Sequence, residues 1–244
     1  MNGHALFLLR ELRVLRRSSE SVFELYVPNL QIRRGECVAL VGPSGCGKST
    51  FLDAISLVLR PTSSERFEFC PADNECIELP SLMSRRDAEN RLARVRKRWM
   101  GYVLQTGGLF PFLSVRGNIE ISRKLLGLPD RGEVIALAKM LDIANLLDAR
   151  TMDLSVGQRQ RVSIARALAH KPAVVIADEP TAALDPKNSD RVMELFKRQV
   201  ELDGSALIIA SHDVERVERF GIRQLRLTME DDTSARRTRA VFSD

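Results

Sequence analysis

The amino-acid sequence predicts an α/β protein with a parallel-sheet core, an N-terminal antiparallel β subdomain and an inserted α-helical subdomain. Three observations predict it. First, GPSGCGKST at residues 42–50 fits the phosphate-binding pattern G-x-x-x-x-G-K-[ST], and it stands between an apolar run of strand length, CVALV, and a stretch of helical spacing. Second, the apolar runs AVVIA at 173–177 and ALIIA at 206–210 are followed at once by polar residues, Asp178 and Glu179 after one, Ser211, His212 and Asp213 after the other. Third, strands alternate with helical stretches, and polar residues at strand carboxyl ends are what a parallel sheet presents to a ligand.

In chain order, residues 5–14 and 21–26 alternate apolar and polar side chains, as antiparallel strands do. The run 37–41 is continuously apolar, the pattern of a strand covered on both faces. After the glycine loop, FLDAISLVL puts Phe51, Ala54, Ile55 and Val58 on one helix face. Residues 60–80 are rich in Pro, Ser and Cys and predict loops and edge strands, followed by a basic helix over 85–99. Strand character returns at 101–104 and ends at Gln105, and TGGLFPFLSV reads as a loop through Gly107, Gly108 and Pro111. Residues 114–149 predict two helices, NIEISRKLLG and EVIALAKMLDIANLLDA, separated by Gly127, Pro129 and Gly132. Ser155 opens another helix that Pro172 ends, and a further helix at about 190–202 leads through Gly204 to the run 206–210.

The glycine loop carries the chemistry. Gly42, Gly45 and Gly47 let the backbone wrap closely round phosphate oxygens, while the loop's N–H groups and the helix N-terminus supply partial positive charge. Pro43, Ser44, Cys46 and Thr50 complete the cradle. The loop therefore predicts a P-loop NTPase core that holds a nucleoside triphosphate, with Lys48 reaching the β- and γ-phosphates and the Ser49 hydroxyl ligating Mg²⁺. Asp178, at the end of a buried strand, is placed to hold the same Mg²⁺, and Glu179 to orient or deprotonate an attacking water.

The composition is that of an ordinary globular protein: 244 residues, 44% hydrophobic and 28% charged. No apolar run approaches the roughly 18 residues that a membrane span needs. The opening MNGHALFLLREL meets charge early and lacks a small-residue cleavage site, so a signal peptide is not expected and the chain reads as cytoplasmic. The net charge is +5, and much of the excess is local: RRDAENRLARVRKRW carries seven basic residues against two acidic ones, and the last ten residues are basic again. Two readings stand for that helix, a solvated face or a face turned toward anionic lipid headgroups, which attract such segments by about 1 kcal/mol per basic residue. No specific nucleic acid is expected, because no aromatic residues interleave the charges. Cys37, Cys46, Cys70 and Cys76 show neither paired CxxC spacing nor a His-rich partner, so neither a zinc site nor a disulfide framework is expected. Cys46 lies beside Lys48 at a helix N-terminus, where a thiol is open to oxidation; the plainer reading is a small residue at a variable loop position.

The stretch LSVGQRQRVSIARAL, residues 154–168, resembles the signature motif of the ABC ATPase family and stands the family's distance ahead of the Asp-Glu strand. The resemblance covers nearly the whole chain: the phosphate loop, Gln105 as the Q-loop glutamine, the signature, Asp178 and Glu179 as the Walker B pair, TAALD ending at Asp185 as the D-loop, and His212 as the switch histidine. It implies one ABC-type nucleotide-binding domain over residues 1–244, with the helical subdomain inserted at about 114–170. It also implies ATP and Mg²⁺ as cofactors and a head-to-tail homodimer formed on ATP binding. ATP on Lys48 of one chain then faces Ser155, Gly157 and Gln158 of the other, an anion at the positive end of a helix dipole. Glu179 is implied to position the hydrolytic water, Ser49, Asp178 and Gln105 to hold or sense Mg²⁺, and His212 to contact the γ-phosphate.

Two residues depart from the family pattern. Val156 stands where the signature usually has glycine, which implies a modest effect on dimer closure. Leu15, beside Arg16 and Arg17, stands where the family usually stacks adenine on an aromatic ring, a contact worth about 1–3 kcal/mol. The stretch from residue 93 to residue 120 looks like the group serving lipoprotein release, macrolide and peptide export, and cell-division signalling. That group implies an ATP-hydrolysing transporter subunit, peripheral on the inner face of the cell membrane and working on separate permease subunits. Its task would be release or export of a lipoprotein or amphiphile. The alternative is an ABC ATPase that regulates or mechanically actuates a membrane protein without moving a solute.

Overall fold

The computed structural model describes residues 4–17, 21–105, 107–232 and 237–243. Expectations that fall on residues 1–3, on residue 106 and on residues 233–236 and 244 of the basic tail lie outside them. In order, the elements are β1 (Ala5–Arg17), β2 (Val22–Arg33), β3 (Cys37–Val41), α1 (Lys48–Ile55), β4 (Arg66–Ala72), β5 (Glu75–Glu78), α2 (Leu79–Met83), α3 (Ala88–Trp99) and β6 (Met100–Val103). Next come α4 (Val115–Leu125), α5 (Glu133–Met140), α6 (Val156–Leu168), β7 (Val174–Asp178), α7 (Pro186–Asp203), β8 (Ala206–Ala210), α8 (Val214–Arg219), β9 (Arg223–Asp232) and β10 (Arg237–Ser243).

The strands form one sheet in the order β5-β4-β1-β2-β10-β9-β3-β8-β7-β6. Its core is parallel, with β3 between β8 and β9, and β7 between β8 and β6. The other end is antiparallel, β1 pairing with both β2 and β4, and β4 with β5. The α/β class, the parallel core and the antiparallel N-terminal strands are as the sequence predicts. The connection between the two parts is not foreseen: β9 runs parallel to β3, and β10 turns back antiparallel to it and lies parallel to β2, so core and antiparallel strands are one continuous sheet.

The continuous apolar runs follow from burial on both faces. In β3, Val38 and Leu40 join the cluster on one side of the sheet, while Ala39 and Val41 join the cluster on the other. Val174 and Ile176 against Val175 and Ala177 in β7, and Ile208 against Leu207 and Ile209 in β8, repeat the division. Burying each such Val, Leu or Ile side chain contributes about 1.5–3 kcal/mol. Gly101 lets α6 close on the sheet edge: a Cβ there would stand 2.3 Å from the Ala167 carbonyl oxygen.

Some helix bounds differ from the expectation. α1 stops at Ile55 because Leu57 adopts a left-handed φ of 62°, which turns Val58 out to solvent. The expected helix over 133–149 ends at Met140: Asp142 is left-handed at φ 55°, and two short 3₁₀ turns come after it. α7 begins at Pro186, earlier than about 190, because Asp185 caps it and proline suits a first helical turn. Cys70 and Cys76 are joined in a disulfide, against the expectation of none, because the β4–β5 hairpin brings together residues six apart in sequence.

Candidate functional site

The parallel register sets the site. Leu40 of β3 and Asp178 of β7 both pair with Ala210 of β8, so the carboxyl ends of the three strands lie level. The segments leaving these strand ends therefore share one edge: the glycine loop after β3, Glu179 after β7, and Ser211 and His212 after β8. A cleft of about 420 Å³ opens there, lined by Gly42, Ser44, Gly45, Gly47, Lys48, Ser49, Thr50, Gln105, Asp178, Glu179, Ala182 and His212.

The loop enters α1 through Gly47, whose φ of 99° favours glycine, and a Cβ there would meet the Phe23 ring at 2.7 Å. No side chain caps α1 and no acidic residue lies in its first turn, so its N–H groups keep their donor capacity for an anion at the cleft. The Lys48 ammonium donates to the Gly42 and Pro43 carbonyls at 2.7 and 2.9 Å, which holds it over the loop. The Ser49 hydroxyl donates to the Asp178 carboxylate at 2.8 Å. These hydroxyl and carboxylate oxygens are the hard donors that a magnesium ion takes, and their closeness fits that ion.

Glu179 is the strained member. Its φ is 48°, unusual for a residue with a Cβ, and its N–H donates to the Ala210 carbonyl at 3.1 Å. The carboxylate lies 2.7 Å from His212 Nδ1, with the glutamate mostly covered and the imidazole mostly exposed. Strand β7 thus delivers one carboxylate to Ser49 and the next to His212.

The structure adds residues that the motifs do not name. Tyr102 of β6 stands near Asp53 and Asp178, and burial, reinforced by those carboxylates, pushes its hydroxyl pKa well up. Burial likewise raises the Asp53 carboxyl, against Arg16, which pairs with it at 3.2 Å. Asp53 lies one helical turn beyond Ser49, so helical spacing was the available signal. Phe23 of β2 is the aromatic ring set against Gly47, whereas Leu15 does not line the cleft and its N–H donates to Thr62 Oγ1 at 2.9 Å. The Cys46 side chain is wholly buried beneath the loop, which removes the oxidation reading and leaves a small core residue; neither it nor the Pro43 side chain lines the cleft.

The remaining expected residues lie apart from this cleft. Ser155 caps α6 in a reciprocal box: its hydroxyl accepts from the Gln158 N–H at 3.2 Å, and the Gln158 side chain accepts from the Ser155 N–H at 2.8 Å. Gly157 packs near Leu184, so the α6 N-terminus adjoins the turn before α7. Asp185 accepts from the Asn188 N–H at 3.1 Å, and Asn188 holds its carboxyl below the usual range. Val156 points to solvent. The chain thus gathers one set of residues in the cleft and places a second set outside it, with Ser155 and Asp185 exposed and Gly157 and Gln158 half-buried.

Comparison with known proteins bears on the same residues. The ABC transporter family model matches residues 25–182. The chain is 39% identical over 224 residues to the lipoprotein-releasing system ATP-binding protein LolD of Novosphingobium aromaticivorans, covering 88% of this chain and 93% of that protein. It is 33% identical over 218 residues to MJ0796, an uncharacterized ABC transporter ATP-binding protein of Methanocaldococcus jannaschii, covering 86% and 88%. The solved dimeric structure of MJ0796 in a post-hydrolysis state, bound to ADP and Pi, is similar with a TM-score of 0.75 at 31% identity, over 90% of this chain and 93% of that one.

Proposed function

The chain belongs to the ABC transporter family, and we propose that it is the ATP-binding and ATP-hydrolysing subunit of an ABC transporter that drives a separate membrane permease. The observation that carries this reading is the division of its residues: Lys48, Ser49, Gln105, Asp178, Glu179 and His212 line one cleft, while Ser155 stands exposed and Gly157 half-buried outside it. A cleft open on one side, with a complementary helix N-terminus on the same chain, is what a head-to-tail dimer completes twice over.

In this reading the α1 N–H groups and Lys48 hold the ATP phosphates. Ser49, Asp178 and Gln105 would hold Mg²⁺, which would supply charge neutralisation at the phosphates. Glu179 takes the proton of the attacking water, and His212, hydrogen-bonded to it, orients that carboxylate and faces the γ-phosphate. The partner chain brings Ser155, Gly157 and Gln158 to the γ-phosphate, and the dipole of α6 favours the anion there. Asp185 lies at the same junction, near the turn that Gly157 touches.

The segment after Gln105 supports a membrane partner. Phe112 is 79% exposed and Phe110 is 40% exposed, and Arg166, which lies 5.6 Å from the Phe110 ring, also lines a hollow whose walls join Val58, Met100, Tyr102 and Leu104 to Asp53, Ser56 and Arg96. No helix among the described residues is long and apolar enough to cross a membrane; in this reading the permease is a separate chain. The subunit then sits on the cytoplasmic face, held by that permease. Likeness to LolD supports a lipoprotein or other amphiphile as the cargo class. The test is a tagged pull-down from detergent-solubilised membranes with Glu179→Gln holding the ATP-bound dimer. A stoichiometric polytopic partner is expected; recovery of the chain alone, or with ribosomes or DNA, would overturn the reading. A partner with no solute pathway would move it to mechanical actuation.

A further inference from the structure

The β4–β5 hairpin at the sheet edge has two chemically different faces. Phe67 and Phe69 are fully buried and Ile77 packs with them, so one face belongs to the core. Side chains alternate along a strand, and residues directly opposite in a pair share a face. Glu68 lies opposite Glu78, Cys70 follows Glu68 by two residues, and Cys76 precedes Glu78 by two. Glu68, Cys70, Cys76 and Glu78 therefore share the outer face.

Three of the four already converge. One carboxylate oxygen of Glu68 and the two sulfurs all lie within 4.8 Å of one another, with Cys76 Sγ 3.7 Å from Glu68 Oε2. Arg66 donates two hydrogen bonds to that carboxylate, at 2.8 and 2.9 Å, and so fixes it beside the sulfurs. Glu78 is exposed at the start of α2, where its side chain makes no cap hydrogen bond. Two thiolates with carboxylate oxygens are a donor set for a borderline-soft divalent ion, bound at about 2.3 Å to sulfur and about 2.0–2.2 Å to oxygen.

We propose that the reduced hairpin binds one divalent cation of the zinc class through Cys70, Cys76 and Glu68, with Glu78 or a water in the fourth position. The Cys70–Cys76 disulfide is the oxidised, closed form of the same site. A dithiol opens it: two electrons and two protons pass to the S–S bond, which gives two thiols, and the donor closes its own disulfide. The cation then displaces both thiol protons to solvent. In a compartment where cellular thiols keep cysteines reduced, the pair stands as the dithiol.

The full chain, reduced and freed of reductant under anaerobic conditions and without nucleotide, would be titrated with Co²⁺ as the probe. One equivalent is expected, with a near-ultraviolet thiolate-to-cobalt band that Zn²⁺ abolishes by displacement. The double variant Cys70→Ser, Cys76→Ser keeps Cys37 and Cys46 and loses the band; its changes lie on the outer face, and a thermal melt checks the fold. Glu68→Gln keeps the band and weakens affinity by at least about tenfold. The proposal fails if reduced wild type shows no band, if the double variant retains it, or if the untreated disulfide form binds Co²⁺ with the same band.

Discussion

Glu179→Gln tests the chemistry at the point where the structure concentrates strain. The change is isosteric, so the backbone at φ 48° and the N–H bond to Ala210 stay as they are. The partner of His212 Nδ1, 2.7 Å away, changes from a carboxylate to an amide. A hydrogen bond to a charged group contributes about 1.5–3 kcal/mol and a neutral one about 0.5–1.5, so folding stability falls by about 1 kcal/mol. Turnover falls far more. General-base assistance accounts for roughly 10² to 10⁴ in rate, which at about 1.36 kcal/mol per decade is about 2.7–5.4 kcal/mol of barrier. ATP affinity holds, because Lys48, the loop and the first turn of α1 are untouched. Steady-state phosphate release, beside equilibrium binding of a fluorescent ATP analogue, separates the two effects. A variant that hydrolyses ATP at the wild-type rate refutes the role assigned to Glu179, and one that loses binding as well refutes the separation of Glu179 from the phosphate cradle.

Three further outcomes rest on particular contacts. Leu15→Tyr is expected to tighten ATP binding, by up to the 1–3 kcal/mol that a stacked base contributes; an unchanged Kd by calorimetry would mean that another residue holds the base, with Phe23 against Gly47 the next to vary. Gly101→Ala forces a methyl to 2.3 Å from the Ala167 carbonyl, so a loss of about 1–3 kcal/mol or more is expected in urea unfolding, and an unchanged midpoint would show that α6 does not depend on this close approach. His170 is buried, with Nε2 3.2 Å from the Met100 carbonyl, and burial pushes its pKa from the usual 6.5 down to about 4. The native state therefore binds fewer protons than the unfolded chain between about pH 6.5 and 4, and stability falls with pH across that window. From pH 7 to pH 5, wild type should lose about 2 kcal/mol more than His170→Gln, read as the shift in urea midpoint; equal losses would show that His170 is not the group responsible.

The parts of the fold legible in the sequence are those whose reason is local. β3, β7 and β8 are covered on both faces, so their apolar runs carry the information unaided. Ser155 shows itself as a cap because its partner, Gln158, is three residues away. The features that were not legible depend on pairing across distance. The last ten residues read as a basic tail and residues 223–232 carried no reading, yet Arg239 of β10 pairs with Glu24 of β2, and that parallel register ties the last strand to the second. The Cys70–Cys76 pair escaped a rule built on spacing, because the hairpin turn and not the interval brings the sulfurs together. The site divides in the same way. Asp178, Glu179 and His212 sit at strand ends that one register aligns, and Lys48 opens the helix after the third, so motif order sufficed; Tyr102 and Asp53 meet from two elements, and Phe23 meets Gly47 from another, without a motif, and were missed.

The two exposed halves of the chemistry are joined through the segment after Gln105. Arg166 of α6 donates to the carbonyls of Gly108 and Gly107, at 2.9 and 3.2 Å, and Gln160 reaches the Leu104 carbonyl at 3.4 Å. Burial lowers the Arg166 pKa, and its ring contact with Phe110 adds a further link to the loop. The strand end that carries Gln105 into the cleft is thus bonded to the helix whose N-terminus carries Ser155. Under the proposed function, a displacement of Gln105 by phosphate or magnesium would pull on α6 through these bonds, and the same segment leaves Phe110 and Phe112 exposed. Nucleotide, the opposing chain and the membrane subunit would therefore act on one unit, Leu104 and residues 107–112 bonded to α6, and not on three separate sites.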